Sequence, residues 1–262
     1  MMIDILGAIQ PLLIISLLTF FFTLETYIPD RAHSSSRKKH TARNLTLVLF
    51  CFAVNGLAAS WFGRWIPIIQ GRQWGLLNVL HLTGWAGVAV GILLIDLDSY
   101  AMHVVFHKVP ALWRLHRVHH SDDELDSTSS LRVHPVETFL QATWRTASFA
   151  VIGVSIPAFT LYYTLLLPLL FIQHANLKSP RWVEAYLGGI FVMSVWHKVH
   201  HSDERPLTDS HFGNIFTFWD RLFGTSLPGV GIDRLKWGLK EFNSESDQTV
   251  RSQLLLPLRN VV

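Results

Sequence analysis

The sequence predicts an all-α integral membrane protein, and three observations carry that expectation. Half of its 262 residues are hydrophobic and only 16% are charged, with a mean hydropathy of +0.30. Apolar runs recur at about the 20 residues that span ~30 Å of hydrocarbon. Eleven of the fourteen histidines lie between His103 and His211, in clusters at helical spacing. One membrane unit with a polar cap is expected, rather than two soluble domains.

Taken in order, Ile5 to Leu24 is the first span, Leu45 to Phe62 the second and Leu76 to Ile95 the third. Met1-Met2-Ile3-Asp4 has no basic residue and no small-residue cleavage site follows, so a removable signal peptide is not expected. Arg31, Arg37, Lys38, Lys39 and Arg43 lie between the first two spans, against Arg64 and Arg72 between the next two. Positive residues stay inside, so residues 25–44 and the histidine region are expected in the cytoplasm and the N-terminus outside. His33 and His40 then sit in a solvated loop, and the sequon Asn44-Leu45-Thr46 stays unmodified. His81, within the third span, should face protein.

Ala147 to Ile172 would make roughly 39 Å of helix, more than one crossing needs. A single crossing would also strand His174 on the wrong side of the bilayer from the earlier clusters. A membrane hairpin over residues 136–173 resolves both points, with Arg145 snorkelling or paired. Trp182 to Trp196 reads as an interfacial or cap helix. The expected architecture is therefore about three spans plus a hairpin, under a cytoplasmic helical cap. Residues 1–95 form the N-terminal membrane helices, 96–225 the histidine-bearing domain, and 226–262 a C-terminal cytoplasmic tail.

Other features are plainer. Cys51 is a lone apolar-run cysteine, expected buried and free. The run Asp122-Asp123-Glu124-Leu125-Asp126 reads as a solvated loop, and most tryptophans flank apolar runs as an aromatic belt would. Net charge is +3, but the basic residues flank membrane segments, so no nucleic-acid partner is expected.

The histidines carry the chemistry. His103-Val-Val-Phe-His107, His116-Arg-Val-His119-His120 and His197-Lys-Val-His200-His201 each place rings on one helical face, so each cluster can aim at a single point. Neutral imidazole is a ligand for iron, zinc, copper or nickel. Eight such rings exceed the needs of one tetrahedral zinc, so a dinuclear metal site enclosed by the cap is expected. Arg117 and Lys198 stand where a zinc protease has its general-base Glu. A metal transporter needs ionisable residues along its spans, and these have almost none. What remains is a redox pair of irons, which can reduce O2 and attack an unactivated C–H bond.

His-x3-His followed by two His-x2-His-His triplets resembles the membrane di-iron oxygenases. Arg132-Val-His134-Pro135-Val-Glu137, Gln173-His174-Ala175-Asn176 and Trp219-Asp220-Arg221-Leu222-Phe223-Gly224-Thr225 are similar to the sterol desaturase/fatty acid hydroxylase superfamily in particular. The resemblance, from Asp96 to Thr225, implies two iron ions, with zinc as the substitute that isolated protein can carry. It makes His103, His107, His116, His119, His120, His174, His197, His200 and His201 the ligands. Leu170 stands where some relatives have another histidine, so Gln173, His134 or water is open as a further ligand. His134 either ligates or holds a ligand ring by its other nitrogen, and Asp96 and Asp98 are candidates for that holding role. His211 reads as a supporting residue. Trp219 to Gly224 reads as a helix with Asp220 and Arg221 paired locally.

The implied reaction is O2-dependent hydroxylation or desaturation of a membrane lipid such as a sterol or fatty acyl chain. Val136 and Glu137 follow His134-Pro135 where a haem domain has glycines, so electrons are expected from a separate cytochrome b5- or ferredoxin-like donor. Lys108, Arg114, Arg117 and Lys198 would attract that acidic carrier or anionic headgroups. The alternatives are an acyl-lipid desaturase of another membrane di-iron family and a non-catalytic membrane metal-binding or transport protein.

Overall fold

In the computed structural model, residues 2–34, 36–227 and 229–260 are described, with side chains from Pro11 onward. Among them there is no strand beyond two isolated bridges, Phe191–Phe216 and Ser202–Trp237. The helices are α1 (Met2–Tyr27), α2 (Arg37–Phe62), α3 (Trp65–Gly71), α4 (Leu76–Val79), α5 (Gly84–Lys108), α6 (Pro110–His120) and α7 (Pro135–Ile152). They continue with α8 (Ile156–His174), α9 (Arg181–Tyr186), α10 (Ser194–His200), α11 (Arg205–Thr208), α12 (Phe218–Leu222) and α13 (Val250–Leu255).

Among the described residues, three stretches are long and apolar enough to cross a membrane: Arg37–Val79, Gly84–Lys108 and Ile156–His174. The protein is a multi-pass membrane protein. Of the first expected span, residues 5–10 lie outside the described side chains, and Pro11–Tyr27 is a shorter apolar helix. α1 packs on α8, α8 on α5, α5 on α7 and α7 on α2. Leu57, Val151 and Trp85, which are 73%, 72% and 83% exposed, point outward as lipid-facing groups do.

The third span is not where apolarity alone placed it. Leu76–Val79 is a separate short helix, His81 turns the chain at φ 52°, and α5 starts only at Gly84. His81 is exposed in that turn and does not face protein. α5 instead runs on to Lys108, because its polar residues Asp96, Ser99 and His107 are buried against protein. Hydropathy ends the span at Ile95; tertiary contacts carry the helix on to Lys108, about three and a half turns further.

The hairpin is α7 and α8. Gly153, at φ 74°, ends α7 in the left-handed region, and Ser155 caps α8 by accepting the Ala158 N–H. At this end of the bundle Gly75 meets Gly153 so closely that a Cβ on Gly75 would lie 2.1 Å from the Gly153 nitrogen. α2, α5, α7 and α8 therefore have their other ends together, beneath the cap.

Expectations for the cap are corrected at several points. Residues 182–196 are not one helix: α9 ends at Tyr186, and Val192 runs extended, its N–H donating to Ile215 O at 2.8 Å. Residues after 226, the expected C-terminal tail, pack back on the cap, where Leu256 is fully buried with Leu47 and Val118. The acidic run is solvated only in part: Asp123 is exposed and Glu124 half-buried, but Asp122 and Asp126 are buried. Asp122 is buried, accepting from His40 Nε2 at 2.8 Å and from Ser129 Oγ at 2.7 Å. Burial raises the Asp122 carboxyl, but His40 and Arg132 facing it hold it well below the usual carboxylate range. His40 was expected in solvent and is buried between Asp122 and Asp126. His33 is half-buried, with Nε2 donating to Glu25 O at 2.7 Å.

His40→Ala is therefore expected to destabilise the protein, because it removes the imidazole that two buried carboxylates share. The cost should be about 3–5 kcal/mol. Thermal unfolding in detergent beside His33→Ala, which should shift the midpoint far less, checks this.

Candidate metal centre

α5 carries His103 and His107 one turn apart, both facing the cap. His103 donates from Nδ1 to Phe212 O at 2.9 Å, and His107 from Nδ1 to Asp209 Oδ1 at 3.2 Å. α6 starts at Pro110, which suits a first helical position, and brings three rings. His116 donates from Nδ1 to Glu137 Oε1 at 2.7 Å and His119 to Arg132 O at 3.1 Å, while neither nitrogen of His120 has a partner. His174 ends α8 and donates to Leu170 O at 2.8 Å. From α10, His200 donates to Ser210 O at 2.7 Å, and His197 and His201 leave Nδ1 unpartnered.

Nine rings so placed fall into two groups: His103, His107, His116, His120 and His200, and His119, His174, His197 and His201. Within each group, one potential ligand atom per residue lies within 4.8 Å of all the others. The groups abut, the His120 and His201 rings stacking at 4.5 Å between centroids. Each triplet straddles both groups, where spacing alone aimed each at one point. Residues four apart stay together (His116 with His120, His197 with His201), and the third ring, His119 or His200, turns to the neighbouring group.

A cation fits these donors. His119 and His174 both give Nδ1–H to backbone carbonyls, which only accept, so both Nε2 atoms are lone pairs. Those lone pairs face each other at 3.2 Å. The same holds for His200 and His103 at 3.1 Å, with Ser210 O and Phe212 O fixing the tautomers. Two facing lone pairs repel unless a positive charge lies between them. Burial pushes His119, His120, His197, His200 and His201 well below the ordinary imidazole value of 6.5, so these rings are neutral. Buried, neutral, nitrogen-only donor sets suit transition metals.

The remaining candidates lie outside both groups. His134 caps α7, accepting the Val136 N–H on Nδ1 at 3.1 Å and donating from Nε2 to Leu254 O at 3.1 Å. Gln173 donates to Val192 O and Asn214 O. Asp96 holds no histidine: it accepts from the Ile215 and Phe216 amides, Trp219 Nε1 and Tyr162 OH. Asp98 accepts from Trp144 Nε1 and Ser148 Oγ. His211, at φ 58°, donates from Nδ1 to Trp196 O and accepts the Leu227 N–H on Nε2.

Asp220 is not paired with Arg221, which donates to Gly189 O. It accepts the Phe212 and Gly213 amides at 2.7 and 2.9 Å, fixing the loop whose Phe212 carbonyl holds His103. Of the four cations expected on the exposed cytoplasmic surface, Arg117 and Lys198 are buried. Burial brings Lys198 down to about 8.

Glu137 and Asp209 are the partners that sequence reasoning missed. Glu137 carries a faint signal, as an acid in the first helical turn after His134-Pro135. Asp209 carries none, because it meets His107 from another element.

The sequence model of the family described as fatty acid hydroxylase matches residues 88–225. An alkylglycerol monooxygenase from Caenorhabditis elegans is 25% identical over 175 residues, covering 67% of this chain and 33% of that protein. Ornithine lipid hydroxylase OlsE from Rhizobium tropici is 25% identical over 138 residues, 53% of this chain and 41% of its own. A cholesterol 25-hydroxylase-like protein from Danio rerio is 30% identical over 189 residues, 68% and 67% of the two chains. The chain thus spans about a third of the alkylglycerol monooxygenase it matches. No solved structure matches it. With the family's sequence pattern covering just over half of the chain, from α5 through both histidine triplets to Thr225, the protein belongs to the fatty acid hydroxylase family.

Proposed function

We propose that the protein is an O2-dependent, di-iron hydroxylase or desaturase of a membrane lipid. The observation that carries this reading is the pair of abutting, buried, neutral imidazole groups at the end of the membrane helices. Relatives named for monooxygenation of alkylglycerol and hydroxylation of ornithine lipid support the lipid class.

His103, His107, His116, His120 and His200 would hold one ion, and His119, His174, His197 and His201 the other. Two irons held there would supply the electrons that reduce O2 and the oxidising power that breaks a C–H bond. The protein's own part is positional. Backbone carbonyls of Arg132, Leu170, Ser210 and Phe212 set ring orientation and tautomer. Burial of the rings keeps bulk water from the reacting atoms. His107 and His174 sit in the last turns of α5 and α8, with His103 one turn before His107, so the centre lies against the headgroup layer. A lipid chain beside these helices can bring its carbon there without leaving the membrane. Electrons would come from a separate cytochrome b5- or ferredoxin-like carrier.

O2 uptake by the reconstituted protein with reductant, carrier and membrane lipid extract tests the activity, and lipid analysis identifies the product. Equal oxidation of small soluble alcohols would refute the lipid assignment.

Purified wild-type protein should contain roughly two transition-metal ions per chain. His119→Ala and His200→Ala should lose metal and turnover. His134→Ala should keep its metal and lose the α7 cap and the hydrogen bond to Leu254 O, about 1 kcal/mol each. Metal analysis beside thermal unfolding separates the two outcomes.

The metal-stripped protein should lose stability on acidification. Rings held below 6.5 when folded take up protons on unfolding, so their contribution is complete above pH 6.5 and falls as pH drops beneath it. The slope is at most about 1.4 kcal/mol per pH unit for each ring. Melting points from pH 8 to 5 should be level and then fall.

The metal side is proposed to be cytoplasmic. In a Cys51→Ala background, cysteines at Lys38, Lys178 and Glu245 should label from that side and one at Arg72 from the other. Opposite labelling of Lys38 and Lys178 would break the shared centre.

A further inference from the structure

Only two of the nine rings lean on carboxylates among the described residues, and both belong to the five-histidine group. His116 donates from Nδ1 to Glu137 Oε1 at 2.7 Å, and His107 from Nδ1 to Asp209 Oδ1 at 3.2 Å. In the four-histidine group, His119 and His174 donate to the carbonyl oxygens of Arg132 and Leu170. His197 and His201 have no partner on Nδ1 at all.

The two carboxylates also differ. Asp209 is partly exposed and also paired with Lys108 at 3.3 Å and Arg205 at 3.2 Å, which draw its charge outward. Glu137 is fully buried. Its Oε1 accepts from His116 and from Gln141 Nε2, and its Oε2 has no partner. A buried carboxylate with one bare oxygen is costly unless a positive charge lies close by. His116 Nε2 has no partner either, so a cation bound there would lie one imidazole away from Glu137.

We propose that the two metal positions are unequal: the five-histidine group is the tight one, and Glu137 is the positioning residue that makes it so. This rests on the two-metal reading above. A carboxylate that accepts Nδ1–H draws the proton toward itself and makes Nε2 a stronger donor, and its own charge attracts the ion. A carbonyl offers only a dipole, and an unpartnered Nδ1 offers nothing. The four-histidine group therefore holds its ion less firmly and exchanges it sooner.

Metal release from the loaded, full-length protein in detergent, after excess chelator is added, tests this without reference to turnover. Wild type should lose two ions in two phases. His174→Ala, whose ring meets only the other rings of the four-histidine group, should abolish the fast phase and leave the slow one. Glu137→Gln keeps an acceptor oxygen for His116 but removes the charge, and should speed the slow phase 10–100-fold at about the usual cost of such a partner. The fast phase should not change. Asp209→Asn should speed the same phase by a smaller factor, and it provides the readout if Glu137→Gln fails to fold.

Release of both wild-type ions in one phase overturns the inequality while leaving the two-metal reading intact. So does a slow phase indifferent to Glu137→Gln, or to Asp209→Asn where that variant stands in. A fast phase that responds to Glu137→Gln in place of the slow one also overturns it. Wild-type protein that holds fewer than two ions overturns both readings.

Discussion

Imidazole lone pairs facing each other at 3.1–3.2 Å, inside protein and away from water, are the constraint around which the cap is built. Such an arrangement repels itself without a cation, and every ring in it has given up hydration. It persists only if other groups hold the rings in place. Four backbone carbonyls from three separate segments do so by accepting Nδ1–H, and each thereby leaves Nε2 free to face inward. The tautomers follow from those carbonyls, and the donor set from the tautomers.

Those carbonyls must themselves be fixed, and buried charged side chains fix them. Asp220 gathers the amides around Phe212, and Asp96 those at Ile215 and Phe216. Arg132 is fully buried and donates to Val118 O, Asn44 Oδ1, Ser121 Oγ and Gln248 Oε1, while its own carbonyl receives His119. His40, Asn44 and Asp122 then tie this loop to α2. Charged residues that look like surface groups in the sequence are the joints between the membrane helices and the cap. They are tolerated inside because each meets several hydrogen-bond partners.

The membrane body supplies the remaining condition. Gly75 against Gly153 closes the far end of the bundle, and the near ends of α5 and α8 deliver His103, His107 and His174 at one level. A bilayer requires its spanning backbone to satisfy itself within helices, so ligands can be presented only from helix ends and from the cap. The hairpin of α7 and α8 is what allows residues on both sides of it in sequence to meet at one centre.

Hydrophobic runs and histidine spacing by themselves determined the all-α membrane class, the hairpin and eight rings to expect at a metal centre, because both periodicities are local, while His174 joined them through the family resemblance. The family resemblance added the order of the motifs. Local information could not show which ring belongs to which group. The i, i+4 pairs stay together, and the third ring turns only because α5, α8 and the cap loops approach from different sides. Nor could it show that His40 and Asp122 are buried partners, or that Asp96 secures a loop instead of a ligand. Polar residues beside apolar runs look alike in sequence whether they meet water or protein. Glu137 and Asp209 reach their histidines across 21 and 102 positions of chain, and only the tertiary structure brings such groups within hydrogen-bonding distance.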